Sequence, residues 1–330
     1  MNWDALLEPL TRLCSGVPRR AEPLRRHTTL RVGGPAALFY KTRALEEFAR
    51  ISLWAHQHAV PLFIMGHGSN ILVSDKGLHA LVVYNACQRM DIGVETYAET
   101  GVAFRDVFLK TAQAGLSGLE FAVGIPGTLG GALVSNAGAY RSNIADLLIE
   151  LDLVAEGVRM RVPPEWMEFS YRDSRLRRPN APPTSLLAVR MRLQPDCRRA
   201  ILQRAREFQR QRILKQPPES SAGSFFKNVY DRALAERIPN LPAPMRAAGV
   251  VPAGYLIEAC GRFGSRGQAV RLHRSPLSSS SLSYWAPFAS QSSRASLPRR
   301  RRSSQRVGSS PRGGCTACKH TPSPPLPSAL

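Results

Sequence analysis

The sequence predicts an α+β protein, and three patterns carry that reading. Short apolar runs at residues 61–65 (PLFIM) and 81–84 (LVVY) are separated by turns too short to hold crossover helices. Apolar residues recur at helical spacing over 42–58 and 103–114. From about residue 150 the pattern changes to strands, in LDLVAEGVRMRV and again at 186–193, LLAVRMRL, with Arg190 and Arg192 facing outward.

Taken in order, MNWDALLEPL forms a short amphipathic helix, and Asp4 and Glu8 within it exclude a signal peptide. Residues 28–40 form a turn and strand around Gly33, Gly34 and Pro35. Thr42 is the expected N-cap of a helix that aligns Leu45, Phe48, Ala49, Leu53 and Trp54 on one face. A buried strand at 61–65 then leads through a tight polar turn at 66–70 into a second strand at 71–74. Residues 198–212, RRAILQRAREFQRQR, form a basic helix whose charges mark a solvated face, and Pro217 and Pro218 end it.

The chain of 330 residues carries a formal charge of +21, which by itself suggests nucleic acid or a membrane surface. Its distribution argues otherwise, because residues 261–330 hold 12 of the 45 basic side chains and none of the 24 acidic ones. More than half of the excess is therefore tail. No apolar run approaches the roughly 18 residues of a membrane span, so the expectation is a cytoplasmic monomer with no membrane or specific nucleic-acid partner. Cys14, Cys87, Cys197, Cys260, Cys315 and Cys318 show no disulfide framework, and a lone C-x-x-C without a second pair gives no expectation of a metal site.

Three stretches have the composition of sites. Residues 115–140, GLSGLEFAVGIPGTLGGALVSNAGAY, carry no charge from Phe121 to Tyr140, and Gly124, Gly127, Gly130 and Gly131 permit positive φ, so successive N–H groups can converge on an anion. The same glycines suit a tight loop, and the run is neither a Walker A nor a Rossmann fingerprint. At Gly66-His67-Gly68-Ser69-Asn70 a hydroxyl and an amide can hold phosphate or a heterocycle edge, or merely furnish a β-turn. Tyr171-Arg172-Asp173-Ser174 can fix an arginine for a planar anion or be a surface turn. A fourth stretch, Ser220 to Asn228, sets Ser224 beside Gly223, Phe225 and Phe226, which suits proton delivery in a desolvated pocket or a buried serine turn.

In one chain, the order R-x-G-G-P-A, G-x-G-S-N-x-L-V-x-D, G-L-x-G-L-E-F-x-x-G-I-P-G-T-x-G-G-A, Y-R-x-S and A-G-S-x-F-K-N resembles the UDP-N-acetylenolpyruvoylglucosamine reductase family over about residues 20–260. The resemblance implies a two-subdomain FAD-binding fold of the vanillyl-alcohol-oxidase type, with subdomains at 1–90 and 91–195 and the start of a substrate domain at 196–261. It implies NADPH-dependent, FAD-mediated reduction of UDP-N-acetylenolpyruvoylglucosamine to UDP-N-acetylmuramate, a step of peptidoglycan synthesis. Arg172 and Ser224 take the catalytic positions, and Lys215 and Asn228 those that hold substrate. For FAD the match points to Gly66, Gly68, Ser69, Asn70, Ile71, Gly124, Gly127, Thr128, Gly130, Gly131, Ala132, Asn136, Ala137, Gly138 and Ala139. No separate NADPH motif is present, and the family expectation is that nicotinamide shares the substrate pocket.

After Gly261 the resemblance breaks. The family continues with a Ser-x-x-His-Ala motif and a late glutamate, whereas this chain runs into RSPLSSSSLSYW and SLPRRRRSSQR, and its last acidic residue is Glu258. Residues 262–330, rich in Ser, Arg and Pro, lack the pattern of a core and read as a disordered, frameshifted tail. The expectation is weakened FAD binding and strongly impaired turnover. Two other readings stand beside this one: a different FAD-dependent dehydrogenase or oxidase of the same fold, or a flavin-binding remnant. A nucleic-acid binder clamping phosphate with Arg299 to Arg302 is a third, whose affinity would fall steeply with salt.

Overall fold

The computed structural model describes residues 1–215, 228–238, 240–253 and 255–256, Lys215 by its backbone alone. Helix α1 (Trp3–Leu13) opens the chain and is capped by Asn2, whose side chain accepts the N–H groups of Asp4 and Ala5 at 3.1 and 3.3 Å. Strand β1 (Arg19–Pro23) then pairs antiparallel with β2 (Pro35–Thr42) at the edge of a four-stranded sheet. Helix α2 (Leu45–Gln57) leads to β3 (Leu62–Met65), and the chain returns to place β4 (Leu78–Asn85) between β2 and β3, parallel to both.

That topology explains why LVVY is an unbroken apolar run. Leu81 and Val83 pack on the α2 side with Leu38, Phe48 and Ile51, while Val82 faces a second cluster of Leu24, Ala36, Phe39 and Met65. A parallel strand covered on both faces needs no polar alternation.

Two local expectations change here. Thr42 is the last residue of β2 and does not cap α2; Ala44 stands at the N-cap without a side-chain bond. The Thr42 hydroxyl instead donates to Glu47 Oε2 at 2.6 Å. Residues 71–74 are not a strand. Because β3 and β4 run parallel, residues 66–77 must return to the starting end of the sheet, and Ile71 and Val73 are apolar because they cover the Met65 and Val82 cluster on one face.

Strands β5 (Met90–Asp91) and β6 (Glu95–Glu99) enter a second, antiparallel sheet with β10 (Leu148–Ala155), β11 (Val158–Val162) and β12 (Thr184–Arg192), ordered β11-β10-β12-β6-β5. Between β6 and β10 lie α3 (Phe104–Gln113), β7 (Leu116–Ser117), the short helix α4 (Leu129–Val134) and the hairpin of β8 (Gly138–Ala139) with β9 (Ser142–Asn143). These connections cover the second sheet with the largest core, which includes Phe104, Phe108, Phe121, Leu129, Leu133, Leu151 and Val189.

Strand β13 (Gln194–Pro195) pairs with β7 and leads into α5 (Arg198–Lys215). This helix is not simply a solvated basic face: Arg204 donates to Glu120 and to Asp196, and Ile201 and Ala205 join the core. Beyond it, β14 (Val229–Tyr230) pairs with β15 (Val250–Val251), and α6 (Arg232–Arg237) and α7 (Ala243–Ala247) pack around Ala235, Leu241 and Val251. The mixture of a parallel-cored sheet and an antiparallel sheet is the α+β architecture that the pattern predicts. Residues 262–330 lie outside the described residues.

Candidate active site

The two glycine stretches, some sixty residues apart in sequence, interlock. A Cβ on Gly66 would stand 2.4 Å from Thr128 Oγ1, and one on Gly127, at φ +110°, would stand 2.7 Å from Ser69 Oγ. Gly68, at φ +63°, lies so close to His27 that a Cβ would come within 2.1 Å of its carbonyl oxygen. At Gly68, where the neighbour is backbone, only glycine fits, and positive φ favours it at Gly127 as well. Thr29 N–H donates to Gly68 O at 3.1 Å and closes the other side of the turn.

Among the described residues, the N–H groups of Gly68, Ser69, Gly124 and Gly127 have no acceptor. Unspent amides in two interlocked turns, three of the four on glycines, suit an anion such as a dinucleotide's diphosphate. Thr128 Oγ1 accepts Gly131 N–H at 3.3 Å at the start of α4, and Gly130 N–H is spent on Thr100 O at 2.8 Å. Ala132 and Ala137 turn their side chains into the core, while Gly138 and Ala139 pair with Asn143 and Ser142. Asn70 is exposed and Ile71 half-buried.

The Tyr171–Ser174 turn docks on the far end of this segment. Asn136 Nδ2 donates to Ser170 O at 2.9 Å, and the Ser174 hydroxyl donates to Val134 O at 2.7 Å. Within the turn Ser170 and Asp173 bridge each other, and Arg172, half-buried, holds φ +53°. Its guanidinium carbon lies 5.9 Å from the Tyr171 ring centre.

Asn228 Nδ2 donates to the Tyr171 hydroxyl at 3.5 Å, and its buried Oδ1 has no partner among the described residues. Tyr230 meets Tyr171 edge-on at 5.1 Å. Burial raises the Tyr230 hydroxyl pKa, with Tyr171 reinforcing and Arg172 opposing the shift. Arg172 and Asn228 thus share one neighbourhood. Ser224 and the Lys215 side chain lie outside the described residues.

Arg212 was not foreseen. It lies on α5, and a Cβ on Gly124 would touch its Cδ at 3.1 Å. Burial lowers the pKa of its guanidinium; the Tyr140 hydroxyl opposes that shift and the positive charge of Arg172 adds to it. Two half-buried cations that repel each other, one of them against Gly124, form a place for an anion. Tyr140 fixes the helix from below, stacking on Phe208 at 4.0 Å and donating its hydroxyl to Phe208 O at 2.7 Å. Arg212 sits one helical turn before Lys215, so i,i+3 spacing was the available signal.

The interlocked glycine turns and the two-sheet framework define a flavin-adenine-dinucleotide-binding fold, and residues 36–159 match the family model of the FAD binding domain. A UDP-N-acetylenolpyruvoylglucosamine reductase of Rubrobacter xylanophilus is 38% identical over 248 residues, spanning 74% of this chain and 76% of the relative. The protein of the same description from Chlamydia trachomatis serovar L2 is 38% identical over 210 residues, 62% of this chain and 70% of the relative. The crystal structure of the Thermus caldophilus UDP-N-acetylenolpyruvylglucosamine reductase superposes with a TM-score of 0.58 at 32% identity, over 74% of this chain and 80% of that one. The chain belongs to the UDP-N-acetylenolpyruvoylglucosamine reductase family, a family of FAD-dependent oxidoreductases.

Proposed function

We propose that the chain binds FAD along the 66–71 and 124–139 segments and uses NADPH to reduce the enolpyruvyl group of UDP-N-acetylenolpyruvoylglucosamine to UDP-N-acetylmuramate in the cytoplasm, as a monomer, for peptidoglycan synthesis. The observation that supports this reading is that the turn bearing Arg172 is bonded to Val134 O and to the Asn136 side chain, within the segment proposed to hold flavin. Bound FAD supplies the hydride chemistry.

The protein's own groups do the rest. The amides of Gly68, Ser69, Gly124 and Gly127, with Arg212 beside them, hold the cofactor diphosphate. Arg172 faces the substrate carboxylate, where negative charge grows as the adjacent double bond accepts hydride, and a fixed cation lowers that barrier most when it needs no reorientation. Asn228 offers its free Oδ1 and Lys215 its ammonium group to the nucleotide-sugar, and Ser224 supplies the proton to C2 of the resulting enolate.

Residues 262–330 replace the family's late glutamate with a tail without acids, and a shift of reading frame accounts for the abruptness of that change. Turnover by this sequence is therefore expected far below that of a family member carrying the glutamate. The test is a stopped-flow experiment on the purified full chain, monitoring flavin absorbance while NADPH and then substrate are added. Bleaching by NADPH followed by substrate-dependent recovery of the yellow band supports the reading. A preparation that takes up no flavin, or whose reduced flavin ignores the substrate, overturns it.

A further inference from the structure

The side chains of Asn136, Ser174 and Arg177 have a common geometry that the proposed chemistry leaves unused. Asn136 belongs to the glycine segment, yet both ends of its carboxamide are engaged by protein: Nδ2 donates to Ser170 O at 2.9 Å, and Oδ1 accepts Ala145 N–H at 3.4 Å. Ser174 is 1% exposed, and its hydroxyl donates to Val134 O at 2.7 Å. Arg177 has a side chain only 8% exposed; its Nη1 donates to the carbonyl oxygen of Arg172 itself, and its Nε lies 3.8 Å from Asp173 Oδ1.

These bonds surround a strained point. Arg172 has φ +53°, a conformation a long L-residue adopts only when its surroundings over-determine it. The bonds to Ser170 O and from Ser174 hold the turn on both sides of Arg172, and Arg177 grips the carbonyl in between. One of the three, from Ser174, ends on the backbone of the cofactor segment at Val134 O, and a second starts from the side chain of Asn136, a residue itself at φ +41°.

We infer that Asn136, Ser174 and Arg177 are positioning residues that couple the backbone of the flavin segment to the Arg172 turn, so that ordering of one orders the other. The inference rests on the proposed flavin site and adds the coupling. A merely structural role would loosen the turn equally with and without cofactor. The coupling makes the turn's protection depend on the cofactor.

The test is amide hydrogen exchange on the full-length protein with and without FAD, for wild type, Ser174→Ala and Arg177→Lys. In the wild type, FAD is expected to slow exchange across both 124–139 and 170–174, the latter by about tenfold. In Ser174→Ala the slowing across 124–139 persists and that across 170–174 disappears. Arg177→Lys, which retains the charge but not the fork, gives an intermediate loss.

Slowing at 170–174 that survives Ser174→Ala overturns the coupling while leaving the flavin site intact. Absence of FAD-dependent slowing at 124–139 in the wild type overturns the site and the coupling with it. A thermal melt of each variant separates a local effect from global unfolding. As an independent check, a double-mutant cycle read as substrate perturbation of the flavin spectrum should make Ser174→Ala nearly silent in an Arg172→Ala background. Additive losses would reduce Ser174 to a packing residue.

Discussion

The two halves of the candidate site are built by different means. The proposed cofactor half is made of close backbone approaches: Gly68 against the His27 carbonyl, Gly66 against the Thr128 side chain, and Gly127, at φ +110°, against that of Ser69. The proposed substrate half hangs Arg172 on one strained turn, held by hydrogen bonds from Asn136, Ser174 and Arg177. A backbone cradle has little freedom to lose and tolerates no added atoms. A turn held by side chains tolerates substitution structurally but misplaces its cation easily. The first half should therefore fail in binding, the second in chemistry.

The strongest way to break that contrast is Gly127→Val. It places a branched side chain at φ +110° and 2.7 Å from Ser69 Oγ, and is expected to raise the flavin dissociation constant by more than about a hundredfold. A fluorescence titration checks this, and a normal flavin content would refute the backbone cradle. Next, Arg172→Ala should leave flavin affinity within about threefold while slowing substrate-driven flavin reoxidation by roughly 10² to 10³, the range seen when one charge-stabilising donor is removed. Single-turnover kinetics reads it.

A third substitution sharpens the comparison from outside the site. Glu47, 3% exposed, accepts Ser15 N–H at 2.5 Å, the Tyr40 hydroxyl at 2.8 Å and the Thr42 hydroxyl at 2.6 Å. Glu47→Ala strands these donors and should cost about 2–4 kcal/mol, measured by denaturant unfolding, with no change in flavin affinity once folded.

Burial alone would raise the Glu47 pKa, but the hydrogen bonds from Thr42, Ser15 and Tyr40 bring it below the ordinary carboxylate value. The folded pKa is thus depressed, so this contribution is present above the ordinary carboxylate range and disappears as pH falls through the folded value. The stability gap between wild type and Glu47→Ala should narrow on acidification. The smallest effect is expected from Arg212→Gln, about a tenfold loss of flavin affinity that shrinks as salt is added.

Much of this arrangement is legible in the residues. Glycines at 66, 68, 124 and 127 announce a backbone that must bend or be approached closely, and the strands in LDLVAEGVRMRV and LLAVRMRL, with Arg190 and Arg192 exposed, are visible in the residues. What was hidden depends on three-dimensional direction. The 71–74 run is apolar enough for a strand, and nothing local reveals that β3 and β4 are parallel and that this segment must return over a sheet face instead. Strand β6, ETYAE, escaped notice because its acids disguise a strand lying between β12 and β5. Thr42 has the chemistry of a cap, yet its hydroxyl goes to a buried carboxylate. Arg212 was lost among the arginines of α5, since composition does not say which way a helix is rolled.

The roll of α5 has a consequence for how far the protein can be altered by insertion. The flat stack of Tyr140 on Phe208, with the phenol bonded to the helix backbone, acts like a key in a shaft and sets the angle at which the chain leaves after Lys215. One residue added between Phe208 and Lys215 would swing that exit by about 100°, while a whole-turn insertion of seven residues would nearly restore its bearing and merely lengthen it. Tolerance to added length at this point should therefore be periodic.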